Sequence, residues 1–249
     1  MELTAQEFSS YGPSHWAVLV VFVLGLVLLI RAGRAWRGTE AQTRFSRVFA
    51  VLLLIGHVAA RFYSVALGIE EPIDAVPLHV SDLVGFVAAY ALWTHRRWAF
   101  AVTYYWCLSL TTQALISPAF VGPDFPHYKF MAFWGLHLLA VWAAIYLTWG
   151  VGLHPTWREY RICVTITVSW AVVAFVFNSI AGTNFGFLNR KPANPSVLEL
   201  LGPWPWYLLP EAVLILGVWA LITWPWTRHD RAGTRRRRRP LTPPSGHGA

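Results

Sequence analysis

Seven long apolar segments, separated by short polar connections, constrain this fold more than any other feature of the sequence. Several approach the ~20 residues that a helix needs to cross the hydrocarbon core of a bilayer. Only 13% of the residues are charged, whereas soluble domains contain about 25%. Because lipid tolerates no unpaired backbone, every segment is predicted to be helical. We therefore expect an all-α polytopic membrane domain over residues 1–226, with seven transmembrane helices at 16–30, 45–68, 76–93, 99–117, 130–150, 162–181 and 206–224.

Positive charges fall on alternate connections and predict the orientation of the chain. Arginines follow the first, third and fifth segments and fill the tail, whereas the other connections are mainly acidic. The positive-inside rule then places the N-terminus outside and the C-terminus in the cytoplasm, in a multi-pass protein of the cytoplasmic membrane. The tail at 227–249 is rich in Arg, Pro and Gly and is predicted to be disordered. Its five-arginine run favours contact with anionic lipids rather than with nucleic acid.

The third segment begins with His79, Ser81 and Asp82, which are costly groups to place in hydrocarbon. His79 and Asp82 are three residues apart and share a helix face. Because intramembrane ionisable residues are rare and commonly functional, this short stretch predicts a site.

Five other helices place polar groups at a matching depth, in the predicted outer half of the bundle. Groups that cannot face lipid must face the interior, where Arg61 has two candidate counter-ions, Asp82 and Glu211. A packing network is one alternative interpretation. A metal site from His57, His79, His137 and a carboxylate is another, but no local ligand spacing supports it, so we predict neither metal nor cofactor. The layer comprises His57, Arg61, Gln113, His137, Asn178 and Glu211.

Six ordered strings give the chain a resemblance to the YwaF-type bacterial integral membrane family over roughly residues 44–226. They are PLHVSDL at 77–83, DFPHYKF at 124–130, LH at 136–137, GTNFGFL at 182–188, RKP at 190–192 and LLGPWPWY at 200–207. That family is related to eukaryotic transmembrane acyltransferases of ether phospholipids, which resemble enzymes using a cysteine and a histidine. The histidine matches His137, and the cysteine position is occupied by Ser81.

The resemblance implies a phospholipid acyltransferase or acyl hydrolase acting on phospholipid or lysophospholipid among the membrane lipids. Ser81 would be the nucleophile and His137 its base, because a serine needs an adjacent base to attack. Asp82 and His79 complete the expected catalytic set. The expected oxyanion donors are Arg61, Gln113 or Asn178, and Arg190 and Lys191 are expected to hold the phosphate. Thr183, Asn184 and Glu211 are further expected substrate contacts.

Two alternatives from other classes stay open at this point. A small-solute or ion binding or transport protein could use the same polar layer, and it predicts a polar path that continues inward. A non-catalytic structural membrane protein would use the layer only for packing, and it predicts no cavity large enough for a lipid chain.

Overall fold

The computed structural model describes residues 7–68, 73, 76–118, 120–191 and 200–237, with side chains as far as Arg228. These residues are helical, without a β-strand. The elements are α1 Pro13–Ala35, α2 Glu40–Ala66, α3 Val80–Thr94, α4 Arg97–Tyr105, α5 Thr112–Ile116, α6 Tyr128–Ile145, α7 Trp157–Ala181 and α8 Leu208–Arg237. A π-helical turn, Trp106–Thr111, joins α4 to α5, and a second, Tyr146–Val151, extends α6.

Five helices are long and apolar enough to cross a membrane. They are Pro13–Ala35, Glu40–Ala66, Tyr128–Val151, Trp157–Ala181 and Leu208–Arg228. The predicted membrane class and all-helical fold are therefore confirmed. The crossing of all seven segments and the direction of the termini stay predictions.

Most predicted helix ends differ from the observed ones by a few residues, and two of the differences concern the candidate site and the tail. The third helix begins at Val80 rather than at residue 76, because His79 is extended (φ −65°, ψ 142°) and forms the N-cap. The last helix runs on to Arg237, so the first part of the predicted disordered tail is helical. Arginine is a good helix former, and it lets a helix continue past its apolar part. Residues 238–249 of that tail lie outside the described residues. So do the acidic residues at 70, 71 and 74, in the connection that is predicted to lie outside the cell.

The core of the bundle lies where α3, α4 and α6 pack together. Their facing residues are fully buried and include small ones, such as Ala88, Ala91 and Ala143, and large ones, such as Phe100 and, in the π-helical turn that extends α6, Tyr146. The outer faces of the surrounding helices remain apolar and exposed, with Leu28 of α1 66% and Val172 of α7 59% exposed. Exposed apolar faces of this size are those expected of helices that face lipid.

Glycines bring α1 close to the end of α6. A Cβ added at Gly33 would lie 2.5 Å from the Cα of Gly150, and the indole of Trp142 occupies the space beside Gly25. Trp142 also donates from Nε1 to the Phe22 carbonyl at 3.1 Å. Small residues that allow backbones to approach are a typical basis of helix packing in membranes.

Arginines connect helix ends at the predicted cytoplasmic side. The Arg37 guanidinium donates to the carbonyls of Gly150 at 2.7 Å and Trp149 at 3.1 Å, at the end of α6. Arg97, at the start of α4, pairs with Glu159 of α7 at 3.0 Å. The arginines that predict topology therefore also satisfy helix-terminal carbonyls and an acid.

We expect Gly33→Ala to destabilise the protein, because the new methyl group meets backbone rather than a flexible side chain. Overpacking of this kind costs about 1–3 kcal/mol, which would appear as a lower midpoint of thermal unfolding in detergent. Gly217→Ala on α8 is the matched control, since its Cβ would meet nothing within 4 Å. Equal stability of the two variants would show that α1 and α6 are not closely packed here.

Candidate functional site at the start of the third helix

The first turn of α3 presents Ser81 at the positive end of a helix. His79 is the N-cap, and its carbonyl accepts the N–H groups of Asp82 at 3.0 Å and Leu83 at 3.1 Å. The N–H groups of Val80 and Ser81 have no hydrogen-bond partner among the described residues. Free amides and the helix dipole favour negative charge at this position.

A cavity of about 490 Å³ lies between α2, α3 and α6 at this turn. Its apolar wall includes Phe86, Phe133 and Leu136. The polar groups come from all three helices and comprise His57, Arg61, Ser64, His79, Ser81, Asp82 and His137, with Thr111 from the π-helical turn. The structure therefore brings the four predicted catalytic residues and Arg61 to one cavity.

Arg61 and Asp82 form an ion pair that links α2 to α3, with 2.5 Å between Nη2 and Oδ2. The two side chains are 26% and 20% exposed. Of the two predicted counter-ions of Arg61, Asp82 is thus its partner, whereas Glu211 lies in a different cavity. Both members of the pair line the cavity together with Ser81.

Two histidines in the cavity wall have defined tautomers in their neutral form. Nδ1 of His137 lies 2.7 Å from the Phe133 carbonyl, and Nδ1 of His57 lies 3.0 Å from the Leu53 carbonyl. Because a carbonyl can only accept, each Nδ1 carries a proton, and in His137 this leaves Nε2 with a lone pair, whereas His57 also hydrogen-bonds to the backbone of Ser81. His137 can therefore act as a base through Nε2.

Gly85 makes room for the His57 ring. A methyl group at this position would overlap the imidazole, so only glycine lets α3 approach α2 here. The sequence placed His57 in the polar layer without a catalytic role, and it gave no signal for Gly85, Thr111 or Ser64. These residues became recognisable only once the rotation of each helix was known.

A second cavity of about 680 Å³ runs between α7 and α8 and also reaches His79 and Ser81. We call it the α7/α8 groove. Its walls are mainly apolar and include Val168, Ala171, Phe175, Ala212, Ile215 and Trp219. Glu211, near the start of α8, lines the groove as well. The two cavities meet at the first turn of α3. Cavities of this size do not fit the hypothesis of a non-catalytic structural protein, which predicted no cavity large enough for a lipid chain.

The predicted oxyanion donors Gln113 and Asn178 line neither cavity. Gln113 is exposed on α5. Asn178 Oδ1 accepts the Thr183 hydroxyl and the Phe185 N–H, both at 2.8 Å, and its Nδ2 donates to the Phe185 carbonyl at 3.0 Å. The hydrogen bonds of Asn178 and Thr183 are thus used to fold the connection after α7.

Three more of the predicted substrate contacts, Asn184, Arg190 and Lys191, also belong to this connection, whereas Glu211 lies on α8 and lines the groove. Asn184 Oδ1 accepts the Arg190 N–H at 3.1 Å, and the Arg190 guanidinium lies 3.4 Å from the Gly182 carbonyl. The Lys191 ammonium lies 5.9 Å from the centre of the Tyr207 ring. None of these three lines either cavity, although Gly186, Phe187 and Leu188 of the same connection line the groove.

The TMEM164 family model matches residues 10–223. The chain belongs to the TMEM164 family. This is a transmembrane family, and its match covers α1 to α7 and α8 as far as residue 223. No curated protein and no solved structure matches the chain. No group of three or more His, Cys, Asp or Glu that could hold a metal ion occurs among the described residues, so the metal alternative gains no support.

We expect the Arg61–Asp82 pair to stabilise the bundle. Removing one partner of a fully buried ion pair costs about 3–5 kcal/mol, and this pair is partly exposed, so Arg61→Ala and Asp82→Ala should each lower the free energy of unfolding by about 2 kcal/mol. The double variant should lose less than the sum of the two, as contacting residues do. Arg44→Ala, an exposed arginine on the same helix, is the control. Additive losses in a denaturant titration would contradict a direct pair.

Proposed function

We propose that this TMEM164-family protein is a phospholipid acyltransferase or acyl hydrolase with Ser81 as nucleophile and His137 as base. One observation supports it most strongly: Ser81, His137 and the Arg61–Asp82 pair, from three helices, line one cavity. The resemblance to YwaF-type proteins and lipid acyltransferases supplies the reaction class, and the membrane location supplies the phospholipid. No cofactor is required by this chemistry.

The reaction would proceed through an acyl-enzyme. Ser81 Oγ attacks the ester carbonyl of a phospholipid while His137 Nε2 accepts the hydroxyl proton. The ester C–O bond then breaks, and the same proton passes from His137 to the departing lysophospholipid oxygen. In the second half, His137 takes a proton from an acceptor lysophospholipid or from water, whose oxygen attacks the acyl-serine. The proton then returns to Ser81.

The start of α3 offers the donors that such a mechanism needs. The amides of Val80 and Ser81 are in the first helical turn without a helical partner, and Ser81 and Arg61 line the same cavity. Donors fixed before the reaction stabilise a developing oxyanion without rearrangement. They replace Gln113 and Asn178, the donors expected from sequence. His57 and His79 complete the polar wall, and Asp82 holds Arg61 in position.

The rival transport hypothesis predicts a polar path that continues towards the predicted inner side. Further along α3 from Ser81, the described side chains Ala88, Ala91 and Leu92 are buried. They belong to one apolar core that also contains the buried aromatic rings of Phe100, Tyr104 and Tyr105 on α4. Dense apolar packing beneath a polar chamber favours a closed site over a channel.

We expect Ser81→Ala and His137→Ala each to reduce acyl transfer by at least about 100-fold, the effect typical of lost acid–base or nucleophilic catalysis. The assay uses purified protein in phospholipid vesicles with labelled phospholipid and lysophospholipid, so that transfer and hydrolysis are read separately. Ser81→Cys should retain activity, because a thiolate is a good nucleophile.

Ser179→Ala is the matched control, because Ser179 is exposed and lines neither cavity, and its Oγ donates to the Phe175 carbonyl at 2.8 Å. Loss of activity in His137→Ala alone would remove Ser81 from the mechanism. Folded wild-type protein without turnover on any phospholipid class would overturn the enzymatic function.

A further inference from the structure

The α7/α8 groove has the length of one membrane leaflet. Its lining extends along α8 from Leu208 to Trp219, which at 1.5 Å per residue is about 17 Å. On α7 it extends over a similar distance, from Val176 to Val164. The hydrocarbon core of a bilayer is about 30 Å thick, so the chains of one leaflet occupy about half of that.

The groove has few polar side chains. They are His79, Ser81, Glu211 and Thr167, and the rest of the lining is mainly apolar. The Thr167 hydroxyl is already used, because it donates to the Cys163 carbonyl and accepts from Trp106 Nε1, both at 2.8 Å. A ligand in the deep part would therefore meet hydrocarbon surfaces, which select an apolar chain.

The groove is open at its side as well as at its end. Val168, Val172 and Val176 of α7 line it and are 58%, 59% and 50% exposed. These residues lie on a span long and apolar enough to cross the membrane, so the opening faces lipid. A lipid chain could enter sideways without crossing a polar surface.

The deep end is closed by a fixed side chain. Trp219 is 1% exposed, donates from Nε1 to Ser109 Oγ at 2.9 Å, and packs against the Tyr105 ring with 5.2 Å between ring centres. An indole held on both sides provides a rigid end wall, and a rigid wall limits the length of chain that fits.

We infer that the α7/α8 groove binds one acyl chain of a membrane phospholipid, which enters sideways between the two helices and ends at Trp219. The ester at the head of that chain then reaches Ser81, where the groove meets the polar cavity. This part of the inference rests on the proposed function. Chain occupancy itself does not, because it depends only on the shape and polarity of the groove.

The test is photocrosslinking of the full chain in phosphatidylcholine vesicles that contain a phospholipid with a diazirine at the end of one acyl chain. Peptide mass spectrometry locates the adducts. We expect adducts on groove-lining residues at the deep ends of α7 and α8, reduced by excess unlabelled phospholipid. They should also form in Ser81→Ala, so that binding is read without turnover.

Matched tryptophan substitutions separate the groove from the lipid-facing surface. Ala212→Trp and Ala171→Trp fill the groove, whereas Val213→Trp and Val173→Trp place the same side chain on exposed faces beside it. We expect the first two to reduce deep adducts by about tenfold or more, the scale on which an apolar pocket discriminates by size. The two valine variants should leave them unchanged.

Adducts spread evenly over exposed α1, α2 and α8 positions, or unaffected by Ala212→Trp and Ala171→Trp, would overturn the inference. The result is distinguishable from failure of the proposed function. Deep adducts without any turnover would support acyl-chain binding in the groove and contradict the proposed reaction. Turnover without deep adducts would support the reaction and contradict acyl-chain binding in the groove. If the groove binds the acyl chain and the protein is an acyltransferase, Ala212→Trp and Ala171→Trp should also shift the preferred acyl chain to shorter lengths.

Discussion

The cost of a polar group in hydrocarbon is the constraint on which this bundle depends. Arg61 and Asp82 meet it by pairing across α2 and α3, and His57 and His137 meet it by donating to carbonyls one turn back on their own helices. Each solution fixes a helix rotation, because the side chain must point inward to be satisfied. The cavity beside Ser81 is formed between these helices, so its shape follows from the way in which their polar groups are satisfied.

The depth of each polar side chain in the membrane could be predicted from the sequence, because the rise per residue of a helix is constant. The rotation of each helix about its own axis could not be predicted, because it depends on packing. Arg61, His79, Asp82 and His137 were placed at one depth by counting residues, and they do line one cavity. Gln113 was placed at the same depth but is exposed. Asn178 points into the turn after α7, where the chain reverses at Gly182 and needs its amide for backbone hydrogen bonds. A residue near a helix end has such alternatives, whereas one in mid-helix does not.

The start of α3 and the π-helical turns are further features that the sequence alone could not predict. Pro77 suits the first turn of a helix, yet the helix begins three residues later, with His79 as N-cap. Trp170 Nε1 donates to the Leu78 carbonyl at 3.0 Å, so a tertiary contact from α7 holds this carbonyl outside the helix. The later start leaves the Ser81 N–H without a helical partner. Likewise, the turn Trp106–Thr111 brings Thr111 to the cavity, and no periodicity predicts such a turn.

A polar cavity and an apolar groove meet at Ser81, and this limits the class of substrate that can fill both. A polar cavity alone would fit a small solute. An apolar groove alone would fit any lipid chain, whatever its head group. Ser81 and His79 line both, so a molecule that fills the two spaces must change from polar to apolar at that point. In a phospholipid this change occurs at the ester that joins the acyl chain to glycerol. The reactive bond of the proposed substrate therefore coincides with the boundary between the cavities, where the candidate nucleophile lies.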